Sequence, residues 1–366
     1  MKKIIFGFIC LALINCHNQK NVNTESLELN KVLNSAPIEY FNFDDYSIEI
    51  AYVDRFINFD SPDLTRSNIF IGNILDIKNT SQNFYIFSRN YPFIYQFDND
   101  GNFIKNFGTQ GRGPRDIGAI HKVAKNNSNI FLLDNKNSRI IVFDHIFNFK
   151  RTFSDRSLDF FIHSGDMIAS EKKFLAQMYT GRKRLISFFD IHQNFKKTDS
   201  LLPPLIPFGM QPKIVNNYTA AIDKNSRLAT SYFGIPYIFV YDSLQQLNYS
   251  IELNSKYLSE NSVSLKPIQD SSVDFRIPKL ISNLFWIKEN YLLVVNRNVI
   301  SIFETDNRTV SLKNRFKLEY SDSELALKHQ EHGVSIRLMD NDDKYLYLAS
   351  NFENGVFRIP LSKLGI

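Results

Sequence analysis

Seven histidines, two cysteines and a single tryptophan are the scarce reactive residues of this 366-residue chain. Both cysteines, Cys10 and Cys16, stand near the N-terminus, so the body holds no disulfide framework and no Cys-based zinc site. It also has no thiol to oxidise outside the cytoplasm. Of His121, His145, His163, His192, His329 and His332, only the last two fall three apart, and they sit in a connector without an HExxH pattern. That pair reads as part of a solvated loop before it reads as a metal site. Asp98-Asn99-Asp100-Gly101 opens like a calcium loop, yet no Glu follows at the twelfth position, and a structural turn is the better reading. Gly108, Gly111 and Gly113 lack the Lys-Ser/Thr of a phosphate loop, and Pro114 disfavours helical geometry at the residue before it. No G-x-S-x-G marks a serine hydrolase. The expectation is no metal, no cofactor and no legible catalytic set.

Bulk chemistry narrows the class further. Net charge is +5, of which Lys2 and Lys3 supply two, and no block of five or six like charges occurs, so a nucleic-acid partner is not implied. Phe (33) and Tyr (17) dominate the aromatic set, which suits half-buried pleated surfaces packed sheet on sheet.

Residues 1–15 run Met-Lys-Lys, then apolar from Ile4 to Ile14, then Asn15. A basic start and a short apolar stretch make a secretory signal, too short to span a bilayer. Leu13-Ile14-Asn15-Cys16 resembles the lipobox of bacterial lipoproteins, with Asn15 where Gly, Ala or Ser is usual. That resemblance implies lipidation at Cys16, a membrane anchor and a place in the cell envelope, at the outer membrane. Residues 16–44 then read as the lipidated cysteine and a flexible tether, rich in Asn, Ser, Lys and Glu.

The elements that would position any site come from a repeat. Asp98, Asp144 and Asp190 are spaced 46 residues apart, each closing a run such as Phe93–Phe97 or Arg139–Phe143. Asp242 and Glu304 continue the series, and an incomplete sixth copy spans Tyr345–Ile359. Short apolar runs bounded by Asn, Asp, Gly and Ser are strand signals, and an acid followed by turn residues marks a hairpin. Four strands in about 45 residues is the size of a propeller blade. Residues 45–366 are therefore expected to form an all-β, six-bladed β-propeller of four-stranded antiparallel blades. Ser47–Phe56 is expected to pair with 355–360, closing the ring and removing an open edge. Trp286, on the predicted innermost strand of blade five, reads as core packing with channel lining as the alternative.

In this fold the loops between second and third strands share a face with the crossovers between blades. They carry Arg89, Tyr91, Lys136, Arg182, Tyr232 and Arg297, and the crossover after blade one adds Arg112, Arg115 and Asp116. Guanidinium forks among aromatic faces suit anionic or sugar-like ligands, so these nine residues form the candidate ligand rim. The run Phe107-Gly-Thr-Gln-Gly-Arg-Gly-Pro114 resembles the NHL-like six-bladed propeller lipoproteins of bacteria, with Arg115 and Asp116 in place of the usual Gly-Glu. The resemblance implies a tethered propeller more than an activity. A binding or scaffolding module for a glycan, peptide or envelope protein is the expected function. The alternative is a metal-dependent hydrolase or lyase with its site in the central channel.

Overall fold

The computed structural model of the chain describes residues 31–66, 69–154, 166–177, 186–193, 195–201, 217–262, 279–306, 309–331, 333–350 and 353–366. Cys10, Cys16, His163, Arg182 and His332 lie outside the described residues.

Two strands precede the repeats: β1 (Ile38–Asn42) and β2 (Glu49–Asn58). Six units of strands follow. Blade one is β3–β6 (Ile74–Asn79, Phe84–Ser88, Ile94–Phe97, Phe103–Phe107) and blade two is β7–β10 (Ile120–Lys125, Ile130–Asp134, Arg139–Phe143, Phe149–Phe153). Blade three is β11–β14 (Ile168–Ala169, Lys173–Gln177, Ile186–Asp190, Lys196–Leu201), and blade four is β15–β18 (Tyr218–Ile222, Leu228–Tyr232, Tyr237–Tyr241, Leu247–Asn254). Blade five is β19–β22 (Asn283–Ile287, Tyr291–Asn296, Val299–Thr305, Val310–Tyr320), and blade six has β23–β25 (Ile336–Asn341, Tyr345–Ser350, Gly355–Pro360). Within each blade consecutive strands pair antiparallel. The innermost strands touch in the order β23, β3, β7, β11, β15, β19, so the six units stand around a common axis.

The middle strands show why apolar runs are needed. Every residue of β4, β8, β9, β16 and β17 is buried, because both faces of a blade pack on neighbouring blades. Between blades one and six, for example, Phe84, Phe56 and Tyr347 meet at centroid distances of 5.1–5.3 Å. Each such ring contributes about 1.5–3 kcal/mol by leaving water.

Besides the expected pairing with 355–360, the N-terminal strands make two pairings the sequence did not suggest. Asp54–Asn58 of β2 pair antiparallel with β25, while Glu49–Val53 pair parallel with β22, so β2 joins blades five and six into one eight-stranded sheet. Residues 38–42, read from sequence as part of the tether, form β1, parallel to β18 at the rim of blade four. The cause is tertiary: Phe41 and Phe43 are buried, and both rings meet Phe303 of blade five.

The repeated acid closes the outer hairpins. Asp98 Oδ1 accepts from the backbone amides of Asp100 (2.9 Å) and Asn102 (2.8 Å). Asp144, Asp190 and Asp242 each accept two backbone amides of their own turns in the same way. In blade five the acid is Asp306, which accepts from the Thr309 amide at 2.6 Å. Glu304, the acid in register by sequence, instead stands exposed on β21, within 3.3 Å of the Tyr291 hydroxyl.

Candidate functional site

The described residues of the predicted rim fold into different surroundings. Tyr232 is 1% exposed and packs its ring on Phe239 in the core of blade four, which corrects its placement in the rim. Its position at the end of β16 turns the ring toward the apolar layer between blades. Arg115 lies over the Phe149 ring of blade two at 5.6 Å, and Arg297 of blade five lies over Tyr257, in the segment after blade four, at 3.7 Å. Arg89, Arg112 and Lys136 are exposed. Tyr91 is 63% exposed beside Phe93.

Asp116 turns inward, and with it the glycine-rich crossover becomes a built structure. Its Oδ2 accepts from the Gly113 amide at 2.8 Å. A Cβ at Gly111 would stand 2.4 Å from that same oxygen, so the carboxylate requires a bare backbone there. Gly108 has φ +111°, a conformation L side chains rarely adopt. The loop is clamped by residues the sequence reading did not single out. Arg139 Nη2 donates to the carbonyls of Gly113 (2.8 Å) and Asp116 (2.6 Å), while its Nε meets Asp134 at 3.2 Å. Asp134, fully buried, also accepts from the amides of Gly118 and Ala119. The run 107–114 is a crossover scaffold.

Two of the clefts among the described residues bear on the rim and the axis. The first is a cleft of about 240 Å³ at one mouth of the axis, lined by Lys78, Lys125, Ser170, Asp223, Phe285 and Asp340 among others, so that all six blades contribute. Most of its charged and amide groups are spent on hydrogen bonds within the protein, while the Trp286 indole N–H is buried without a hydrogen-bond partner among the described residues. Lys125 donates to Asp340 (2.7 Å) and the Asn79 carbonyl (2.6 Å), and Asp340 accepts from the Asn79 amide, which ties blades six, one and two. Asn126 donates to the Ser170 carbonyl at 2.9 Å, Ser170 meets Ser226 at 2.9 Å, and Arg227 bonds both Asp223 and the Glu289 carbonyl. Arg227 also lies 4.7 Å over Trp286, a buried residue that joins the blade-four and blade-five core and edges this cleft. Deeper along the axis, burial raises the Asp76 carboxyl above its ordinary range despite Lys78 at 2.8 Å. Burial would lower the Lys78 ammonium, but Asp76 and Asp340 outweigh it and hold its pKa up. Among the described residues no group of three His, Cys, Asp or Glu is placed to hold a metal ion.

The second cleft, about 480 Å³, opens on blade one on the crossover face. Ile69, Phe70, Asn73, Tyr91, Pro92 and Asn106 form most of its wall. The Tyr95 hydroxyl donates to the Phe70 carbonyl (2.9 Å) and the Ser88 hydroxyl to the Gly72 carbonyl (2.9 Å), which pins the segment bearing Phe70 against β4 and β5. Phe70 is 83% exposed. Of the described residues of the predicted rim, only Tyr91 belongs to this wall.

Six antiparallel units around an axis, with crossovers on one face, define an all-β propeller. The chain belongs to the family described as DUF5128: 6-bladed beta-propeller, whose model matches residues 19–206. No curated protein matches it by sequence. Among solved structures it is similar to a protein of Bacteroides fragilis NCTC 9343 (12% identity, TM-score 0.49, 88% of this chain and 98% of that one). It is also similar to a functionally unknown protein of Desulfotomaculum acetoxidans DSM 771 (12%, TM-score 0.45, 80% and 84%). A streptogramin B lyase gives 10% identity and a TM-score of 0.44 over 84% and 87%. None of these likenesses decides what this chain does.

Proposed function

We propose that this chain is an exported protein held to the outer membrane by acyl chains on Cys16, and that its propeller binds or scaffolds a glycan, peptide or protein partner. In kind it sits with the NHL-like propeller lipoproteins that its 107–114 loop resembles. β2 acts as the fastening strand of the ring, giving blade six its outer strand. The observation that carries the binding reading is the cleft on blade one: exposed rings stand at a concave, pinned wall on the face where loops and crossovers converge. The axial cleft supports the alternative of a metal-dependent hydrolase or lyase poorly, because its carboxylates are engaged by lysine, arginine and backbone donors.

Two or more acyl chains anchor stably where one is marginal. Cells fed an alkyne fatty acid will label the wild-type chain and carry it into the detergent phase of a cloud-point extraction. Cys16→Ser will lose both label and partition. An unlabelled wild type found in the aqueous phase would refute the anchor.

A further inference from the structure

The blade-one cleft supports a more specific statement, which rests on the binding reading above. We infer that it is a site for a neutral sugar, one or two units of a glycan chain.

Among the described residues the wall carries no carboxylate, ammonium, guanidinium or imidazole: it is Ile69, Phe70, Gly72, Asn73, Ser88, Asn90, Tyr91, Pro92, Tyr95 and Asn106. An anionic ligand finds no counter-charge on this wall, and a cationic one finds no acid. What the wall offers instead is rings and amides. Phe70 and Tyr91 leave 83% and 63% of their surface in water, although both border a cleft where burial was available. The hydroxyls of Ser88 and Tyr95 are spent on the local backbone. The side-chain amides of Asn73, Asn90 and Asn106, by contrast, have no hydrogen-bond partner among the described residues. Each amide presents two donors and an acceptor, a match for hydroxyls that also do both. Apolar C–H faces with a hydroxyl rim are the surface of a pyranose, and aromatic rings cover such faces at little entropic cost. A volume of about 480 Å³ lies within the range of ordinary small-ligand sites.

Titration calorimetry tests this on the full chain in a sugar-free detergent. The probes are neutral disaccharides and tetrasaccharides of glucose, mannose, galactose, xylose and N-acetylglucosamine, with a glucuronate-terminated analogue of each. At least one neutral saccharide will bind, its acidic analogue no more tightly. Phe70→Ala and Tyr91→Ala will each weaken it about tenfold, the loss of one good ring contact. Asn73→Ala and Asn106→Ala will weaken it less, and Arg112→Glu will leave it unchanged. Both rings are exposed, so the melting temperatures of these variants should match wild type. If no neutral saccharide binds, or binding survives the Phe70→Ala/Tyr91→Ala double variant, the sugar assignment is overturned. Peptide binding lost in that double variant would overturn the sugar alone and keep the binding face. Binding of saccharides or peptides only at other faces would overturn both.

Discussion

Glu353 shows how much one carboxylate holds in this fold. Its side chain is 9% exposed and meets His329 Nε2 at 2.6 Å, Lys328 Nζ at 2.7 Å and Arg55 at 3.6 Å. Blade six, the crossover before it and β2 are thereby tied at one point. Burial alone would raise the Glu353 pKa, but hydrogen bonds from Lys328 and His329 outweigh it and leave it below the ordinary 4.5. A carboxylate whose pKa is lower folded than unfolded stabilises fully above the unfolded value and loses that contribution as pH falls through the folded one. Denaturant titrations of wild type and Glu353→Gln should therefore differ most near neutrality and converge below pH 4.5. A constant offset across that range would show that the charge is not what matters.

At the scale of the element, the crossover 107–117 depends on a buried ion pair inherited from the next blade. Arg139 and Asp134 have side chains 10% and 0% exposed, and between them they fix Gly113, Asp116, Gly118 and Ala119. Removing the guanidinium leaves Asp134 buried without its cation and three carbonyls, those of Arg112, Gly113 and Asp116, without their donor. Breaking one partner of such a pair costs about 3–5 kcal/mol. Arg139→Met should lower stability by that amount in equilibrium unfolding, with exchange of the Gly111, Gly113 and Ile117 amides accelerated first. A loss under about 1 kcal/mol would mean the loop stands on its own turn chemistry.

This element also marks the boundary of what the chain disclosed before folding. The glycines and Pro114 were visible because they punctuate the sequence. The clamp was hidden, because Arg139 and Asp134 read there as the ends of two strands. The blades were countable since Asp98, Asp144 and Asp190 do the same local work at a constant spacing. Glu304 misled for the same reason: β21 runs longer, to Thr305, and the turn moved to Asp306. Tyr91 was legible as a loop residue. Phe70 and Asn106 were not, because they reach the cleft from the segment before blade one and from its last strand. β1 was missed because five residues between polar stretches carry little period, and its burial comes from Phe303 of a distant blade.

For the whole molecule, the two clefts are assigned opposite duties. Around the axis, Asp340, Lys125, Asn126, Ser170 and Arg227 stitch neighbouring blades, so that mouth is a structural joint. On the crossover face, the Phe70 and Tyr91 rings are largely exposed, and the side-chain amides of the three asparagines make no hydrogen bond among the described residues. A ligand that binds only the folded chain raises its melting temperature by mass action.

The decisive measurement is the thermal unfolding midpoint of two variants, Phe70→Ala/Tyr91→Ala and Lys125→Met/Asp340→Leu, each with and without a saturating neutral oligosaccharide. The first should melt like wild type and show no ligand-induced rise. The second should melt lower and keep the full rise. A rise preserved in the first and lost in the second would place the binding site at the axis and contradict this assignment of the two faces.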